Sequence, residues 1–172
     1  IEGHTDSSFI WATALQSGYL IEKNEKLAAE FFEAAANDGK VEAQLKTALL
    51  YKDGIGRNKD LTLAATWFHK AALNGNAIAQ YHYGMALANG AGLELDRNAS
   101  IRWLKVSSEQ DHPEASFELS KLYGNEAFID VYNRDLSDNF LSKAAALGQP
   151  FAALENAKKK LNKAKSLQDR LM

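Results

Sequence analysis

The chain of 172 residues contains no cysteine. Disulfides, thiolate metal sites and cysteine nucleophiles are therefore excluded, and the redox compartment leaves no mark on the sequence. Proline occurs only at Pro113 and Pro150. No apolar run approaches the roughly 20 residues that a membrane-crossing helix needs, so membrane insertion is not expected. The first residues lack the basic-then-apolar layout of a signal peptide. The chain opens on Ile1 without a methionine, which fits the removal of an upstream leader or tag. A strong charge of either sign is also missing: 20 basic against 22 acidic residues leave a formal charge of −2, which argues against general nucleic-acid binding. Signatures of catalysis are as scarce. The four histidines, His4, His69, His82 and His112, form no HExxH pair, and neither GxSxG nor SxxK occurs. No catalytic, metal-ligating or cofactor-binding residue is expected, and an enzyme is the least favoured reading.

The sequence does contain a period. Ala43, Ala79 and Ala115 lie 36 residues apart, with Ala152 following after 37, and Phe31, Trp67, Trp103 and Phe140 keep the same step. Gly39, Gly75 and Gly148 keep it too, with Asp111 in the third slot. Several unrelated residue types in one register define a repeat array. Within the unit at 41–76, Ala43, Thr47, Ala48 and Tyr51 recur at helical spacing up to the glycine turn Asp53-Gly-Ile-Gly56. Asp60 then stands where an N-cap belongs, and Leu61, Ala64, Ala65, Phe68, Ala71 and Ala72 return every three or four residues until Asn74-Gly75. Each unit is therefore a helical hairpin, with Trp67 as a large knob among small residues.

In these residues the chain resembles the Sel-one-like repeat family, a relative of the tetratricopeptide repeats. The second unit carries the pattern through Ala43, Tyr51, Gly54, Gly56, Asp60, Ala64, Trp67, Ala71, Ala72 and Gly75, and the third through Ala79, Gly84, Gly90, Gly92, Asp96 and Trp103. The resemblance implies an all-α superhelix, or solenoid, of four helix-turn-helix repeats with a C-terminal capping helix. The expected organisation is one domain over 1–172, with repeats at about 5–40, 41–76, 77–112 and 113–149 and a terminal helix over 150–172. It also implies a non-enzymatic protein-binding adaptor with a protein partner, the first helices lining a concave surface. Immunity proteins that neutralise secreted lipase-type toxins are the alternative within the family. A bacterial periplasm or another exported compartment is favoured over the cytoplasm on the same ground.

In chain order, Ile1 to Asp6 is expected to be a loose end before a first helix at Ser7 to Ser17. Leu20 replaces a turn glycine, and Asn24 caps the next helix. Pro113 and Pro150 mark helix starts, where the missing N–H is not needed. In the fourth repeat Glu126 and Phe128 stand in the glycine slots, the unit is one residue longer, and Asn133 takes the capping place. Exposed Phe128 or Tyr132 in that irregular loop is a candidate anchor.

Two surfaces remain as binding candidates. One first-helix register holds Phe9, Leu45, Tyr81, Phe117 and Leu154, an apolar ladder with Met85 and Lys121 beside it and Lys52, Asn89 and Asn125 at the inner ends. The other is the basic tail Lys158, Lys159, Lys160, Lys163, Lys165 and Arg170, suited to steering an acidic partner. On that helix Leu154, Leu161 and Leu167 are expected to turn inward against the last hairpin.

Overall fold

The structure, a computed structural model of the chain, describes residues 2–169, with side chains over 5–166. Nine helices and no strand occur among the described residues: α1 (Glu2–Ser17), α2 (Glu25–Asn37), α3 (Val41–Asp53), α4 (Leu61–Leu73), α5 (Ala77–Asn89), α6 (Arg97–Glu109), α7 (Pro113–Gly124), α8 (Arg134–Ala146) and α9 (Pro150–Asp169). The class is an all-α helical solenoid. Its chain forms two compact units, 1–100 and 101–172, so that α6 gives its first turn to one and the remainder to the other.

Local chemistry decides where the helices begin. The side chains of Asn24, Asp60, Asp96 and Asn133 each accept a hydrogen bond from the backbone N–H three residues on, at 2.8 to 3.0 Å. The backbone N–H of each of these caps also reaches back across the turn, to the carbonyls of Leu15, Tyr51, Leu87 and Tyr123 respectively. The first three closures span nine residues and the fourth ten, so the extra residue of the irregular loop is absorbed without losing the bond. Neither Glu126 nor Phe128 adopts positive φ there, and Asn125 leaves α7 in an extended conformation.

The second helices end alike. The N–H groups of Lys40, Asn76, His112 and Gln149 bond to the carbonyls of Ala35, Ala71, Ser107 and Ala144. At the residue before, Asp111 takes φ of 59° where the other repeats place glycine, and Leu20 takes 71° in the first hairpin's turn. Aspartate tolerates this left-handed region better than most residues, whereas leucine is strained there.

In the first unit Ala12, Leu15, Ala28, Ala29, Phe32 and Leu50 form a core cluster backed by Phe9, Ile21 and Phe31. Trp67 and Phe68 on α4 are buried, as are Ala64, Ala65, Ala71 and Ala72 of the same helix. In the second unit Leu104 and Leu119 are fully enclosed, Tyr123 stacks on Phe140 at 5.8 Å, and Leu141, Ala144 and Ala152 cluster together.

Two expectations are corrected. The segment at 2–6 is helical: Lys40 Nζ bonds Asp6 at 2.7 Å and Thr5 Oγ1 bonds Asp38, which ties the first turns of α1 to the end of the α1–α2 hairpin. Ile1 lies outside the described residues. On α9, Leu154 is 54% exposed and Leu161 56%, because it is the Ala152 side of that helix that packs on Leu141 and Ala144 of α8. The side chains of Leu167 and Arg170 lie outside the described residues.

Candidate functional site

Four ladder residues fall on the first helices of the hairpins and the fifth, Leu154, on the terminal helix, and their surroundings differ. In the first unit, α1 holds Phe9 half-buried, its ring edge-on to Phe32 at 5.5 Å with the Lys40 ammonium 5.1 Å from its centroid. Leu45 on α3 and Tyr81 and Met85 on α5 are likewise half-buried, with apolar surface left open to solvent. In the second unit Phe117 on α7 packs against the Leu141–Ala144–Ala152 cluster. Lys121 sits over its ring at 5.2 Å while its ammonium pairs with Glu118 at 2.7 Å. Leu154 on α9 is exposed.

A built feature appears at Met85. Together with Lys52 and Asn89, which the sequence places at the inner ends of the first helices, it lines an open cavity of about 140 Å³ whose other walls include Leu61, Ala64, Ala65, Phe68, Ala86 and His82. The wall is apolar, and the charge and hydrogen-bonding groups stand on Lys52, His82 and Asn89. His82 is held by stacking on Phe68 at 4.8 Å and lies 5.1 Å from the Tyr81 ring. The sequence offered no signal for His82 or Phe68 here, because their meeting joins α4 to α5.

The packing that holds α4 against α5 is specific. Gly92 φ is +80°, and a Cβ at that glycine would lie 2.1 Å from the Leu61 carbonyl oxygen. Gly56 meets the Glu25 carbonyl at the same distance one repeat earlier. The second turn glycine is therefore a requirement of the backbone–backbone approach between repeats. Buried Gln80 adds a polar latch: its Nε2 donates to the Ala72 carbonyl at 3.2 Å, as Gln44 Nε2 does to Ala36 at 3.4 Å. In the second unit the corresponding slot holds Ser116, whose Oγ bonds Ser108 Oγ at 2.7 Å. The two glutamine latches give the Ala72 and Ala36 carbonyls a second donor beside the N–H groups of Gly75 and Gly39, and in doing so satisfy their own buried amides.

A second polar cluster joins α2 to the turn after α3. Arg57 donates to Glu33 at 2.9 Å and to the Ala29 carbonyl at 2.6 Å and stacks over Tyr51 at 4.2 Å. The Tyr51 hydroxyl donates to the same Glu33 carboxylate, and burial together with that bond raises its pKa. Arg57 is thereby committed to structure. Tyr132, from the irregular loop, donates to Glu126 at 3.4 Å and stays exposed, while Phe128 is half-buried. Among the described residues no group of three or more His, Asp and Glu is gathered that could hold a metal ion, and no helix is long and apolar enough to cross a membrane.

Stacked α-hairpins closed by repeating caps and latches define a helical-repeat interaction scaffold. The Sel1 repeat family model matches residues 7–40, 41–76, 77–112 and 113–149, and the chain belongs to that family. The chain is similar to c5321, a protective antigen of uropathogenic Escherichia coli with an SLR fold: 25% identical, TM-score 0.87, covering 94% of this chain and 34% of that one. A Sel1 repeat protein from Oxalobacter formigenes is 22% identical at a TM-score of 0.82, covering 90% of this chain and 61% of the other. The chain thus spans about a third and about three-fifths of these relatives. The immunity protein Pa5087 of Pseudomonas aeruginosa is 18% identical over 87% of this chain and 68% of its own, at a TM-score of 0.43, too low to bear on role. Among curated proteins none matches the chain. Sel1 repeats generally mediate protein–protein interaction and are typically non-catalytic scaffolds.

Proposed function

We propose that residues 1–172 act as one protein-binding module that holds a partner segment on its first helices, through Phe9, Leu45, Tyr81 and Met85 in the first unit and Phe117, Lys121 and Leu154 in the second. The cavity beside Met85 supports this reading. Its volume of about 140 Å³ is well below the roughly 300–1,000 Å³ of sites for drug-sized ligands, and suits one inserted apolar side chain. Lys52, His82 and Asn89 around it supply the polar rim expected of an anchor pocket. Interface energy concentrates in a few such anchors, and Tyr81 adjoins this one.

The experiment is capture of the partner from source-cell extract, its identification, and titration of the purified pair. Tyr81→Ala and Met85→Ala are each expected to lose more than about 1 kcal/mol of binding while helical content and melting midpoint stay near wild type. Phe117→Ala is a poorer probe, because that ring also packs on the second unit's core. Leu154→Ala, alone and with Tyr81→Ala, shows whether one partner engages both units. Unchanged affinity in the Tyr81→Ala/Met85→Ala double variant refutes the reading. A single toxin recovered as partner makes the chain an immunity protein, whereas several envelope proteins make it an adaptor.

A further inference from the structure

The second unit carries an unassigned cationic groove. It lies between α8 and α9, has a volume of about 460 Å³, and is lined by Arg134, Lys159, Lys160 and Lys163 with Asp138 and the amide of Asn156. Lys159 pairs with Asp138 at 2.6 Å. Arg134, Lys160 and Lys163 have no carboxylate partner among the described residues, and neither Asp135 nor Glu155, on the same helices, lines the groove. The cations sit against electrostatic preference. Arg134 is the first residue of α8, at the positive end of its dipole, and Lys159 and Lys163 are like charges one turn apart on α9. Asp138 offsets Lys159 alone, so Arg134, Lys160 and Lys163 still weaken their helices unless a further anion offsets them.

We propose that this groove docks an acidic segment of a protein partner. A carboxylate pairs with the planar Arg134 fork, a second lies between Lys160 and Lys163, and Asn156 and Asp138 meet peptide N–H and C=O groups. A nucleic-acid strand needs a continuous cationic track, yet Asp138 interrupts the wall and Lys158 and Lys165 share a different face of α9. A membrane surface needs cations and apolar groups on one side, whereas exposed Phe151, Leu154 and Leu161 follow the Lys158 and Lys165 spacing and do not line the groove.

The test titrates the full chain into a fluorescein-labelled oligoglutamate peptide at low ionic strength and reads anisotropy. Lys160→Glu/Lys163→Glu is expected to weaken binding about tenfold or more, since each reversal replaces an attraction by a repulsion. Lys158→Glu/Lys165→Glu carries the same change in net charge outside the groove and is expected to weaken it about twofold or less. If charge reversal unfolds α9, seen as lost helical signal, Lys160→Gln/Lys163→Gln replaces it with the same ranking expected. Equal losses from the two pairs, or no binding of oligoglutamate, overturn the proposal. Displacement of the peptide by an uncharged oligoglutamine, by a single-stranded oligonucleotide or by phosphatidylserine vesicles at lower concentrations than oligoglutamate also overturns it.

Discussion

Replacing Gly92 by alanine tests the backbone approach that sets one repeat against the next. Two costs apply. The first is conformational: φ at Gly92 is +80°, and an L-residue in the left-handed region costs about 1–2 kcal/mol, partly offset by alanine's smaller unfolded-state entropy. The second is steric. The new Cβ would stand 2.1 Å from the Leu61 carbonyl oxygen, 2.2 Å from its carbon and 2.6 Å from Thr62 N, all backbone atoms that cannot rotate away. Carbon contacts relax only near about 3.5 Å, so the turn and the start of α4 must separate and loosen the packing around Ala64, Ala65 and Phe68. Overpacking of this kind adds about 1–3 kcal/mol, for a total of about 2–4 kcal/mol. Gly75 isolates the first cost: its φ is +86°, yet a Cβ there meets nothing within 4 Å, so Gly75→Ala is expected to cost only about 1 kcal/mol. Urea unfolding of wild type, Gly92→Ala and Gly75→Ala, followed by circular dichroism and tryptophan fluorescence, gives the comparison. Equal losses from the two substitutions would refute the steric argument and leave φ as the only reason for the turn glycine.

Leu20→Gly should raise the melting midpoint, by about 0.5–1 kcal/mol of stability, since Leu20 is strained at positive φ and 87% exposed, so little packing is lost; a lower midpoint contradicts this. Trp67→Ala should cost about 3–5 kcal/mol, because Trp67 is only 5% exposed, and half-buried Trp103→Ala should cost less, as measured by thermal melts. His112 should make stability fall in mildly acidic solution. Its Nδ1 accepts the Ala115 N–H, which requires the neutral ring, and burial lowers its pKa below 6.5 against the opposing pull of Glu114. The unfolded chain therefore takes up the proton first, so this contribution is full above pH 6.5 and declines as pH falls towards the depressed folded value. Asparagine keeps a capping oxygen and does not titrate, so the difference in urea midpoint between wild type and His112→Asn should shrink or reverse as pH falls, and a constant difference contradicts the assignment.

The fold was largely legible in the sequence because its determinants are local. Asn24, Asp60, Asp96 and Asn133 cap the helices that their spacing indicates, and Asp111 takes the glycine conformation of its register slot. Each effect involves residues within one turn of helix, where chain connectivity already holds the partners together. The candidate site was legible only as a register: Phe9, Leu45, Tyr81, Phe117 and Leu154 share a position, but periodicity does not say which are covered. Packing buried part of Phe117 against Leu141 and left Leu154 open, since α8 meets a different side of α9. The tertiary fold likewise brought Met85, Lys52 and Phe68 around one cavity, set Gly92 on the Leu61 carbonyl, and latched Gln80 to Ala72. Those partners come from different helices, and no pattern along the chain encodes the distance between two helix faces. It follows from how side-chain volumes fill the space between them.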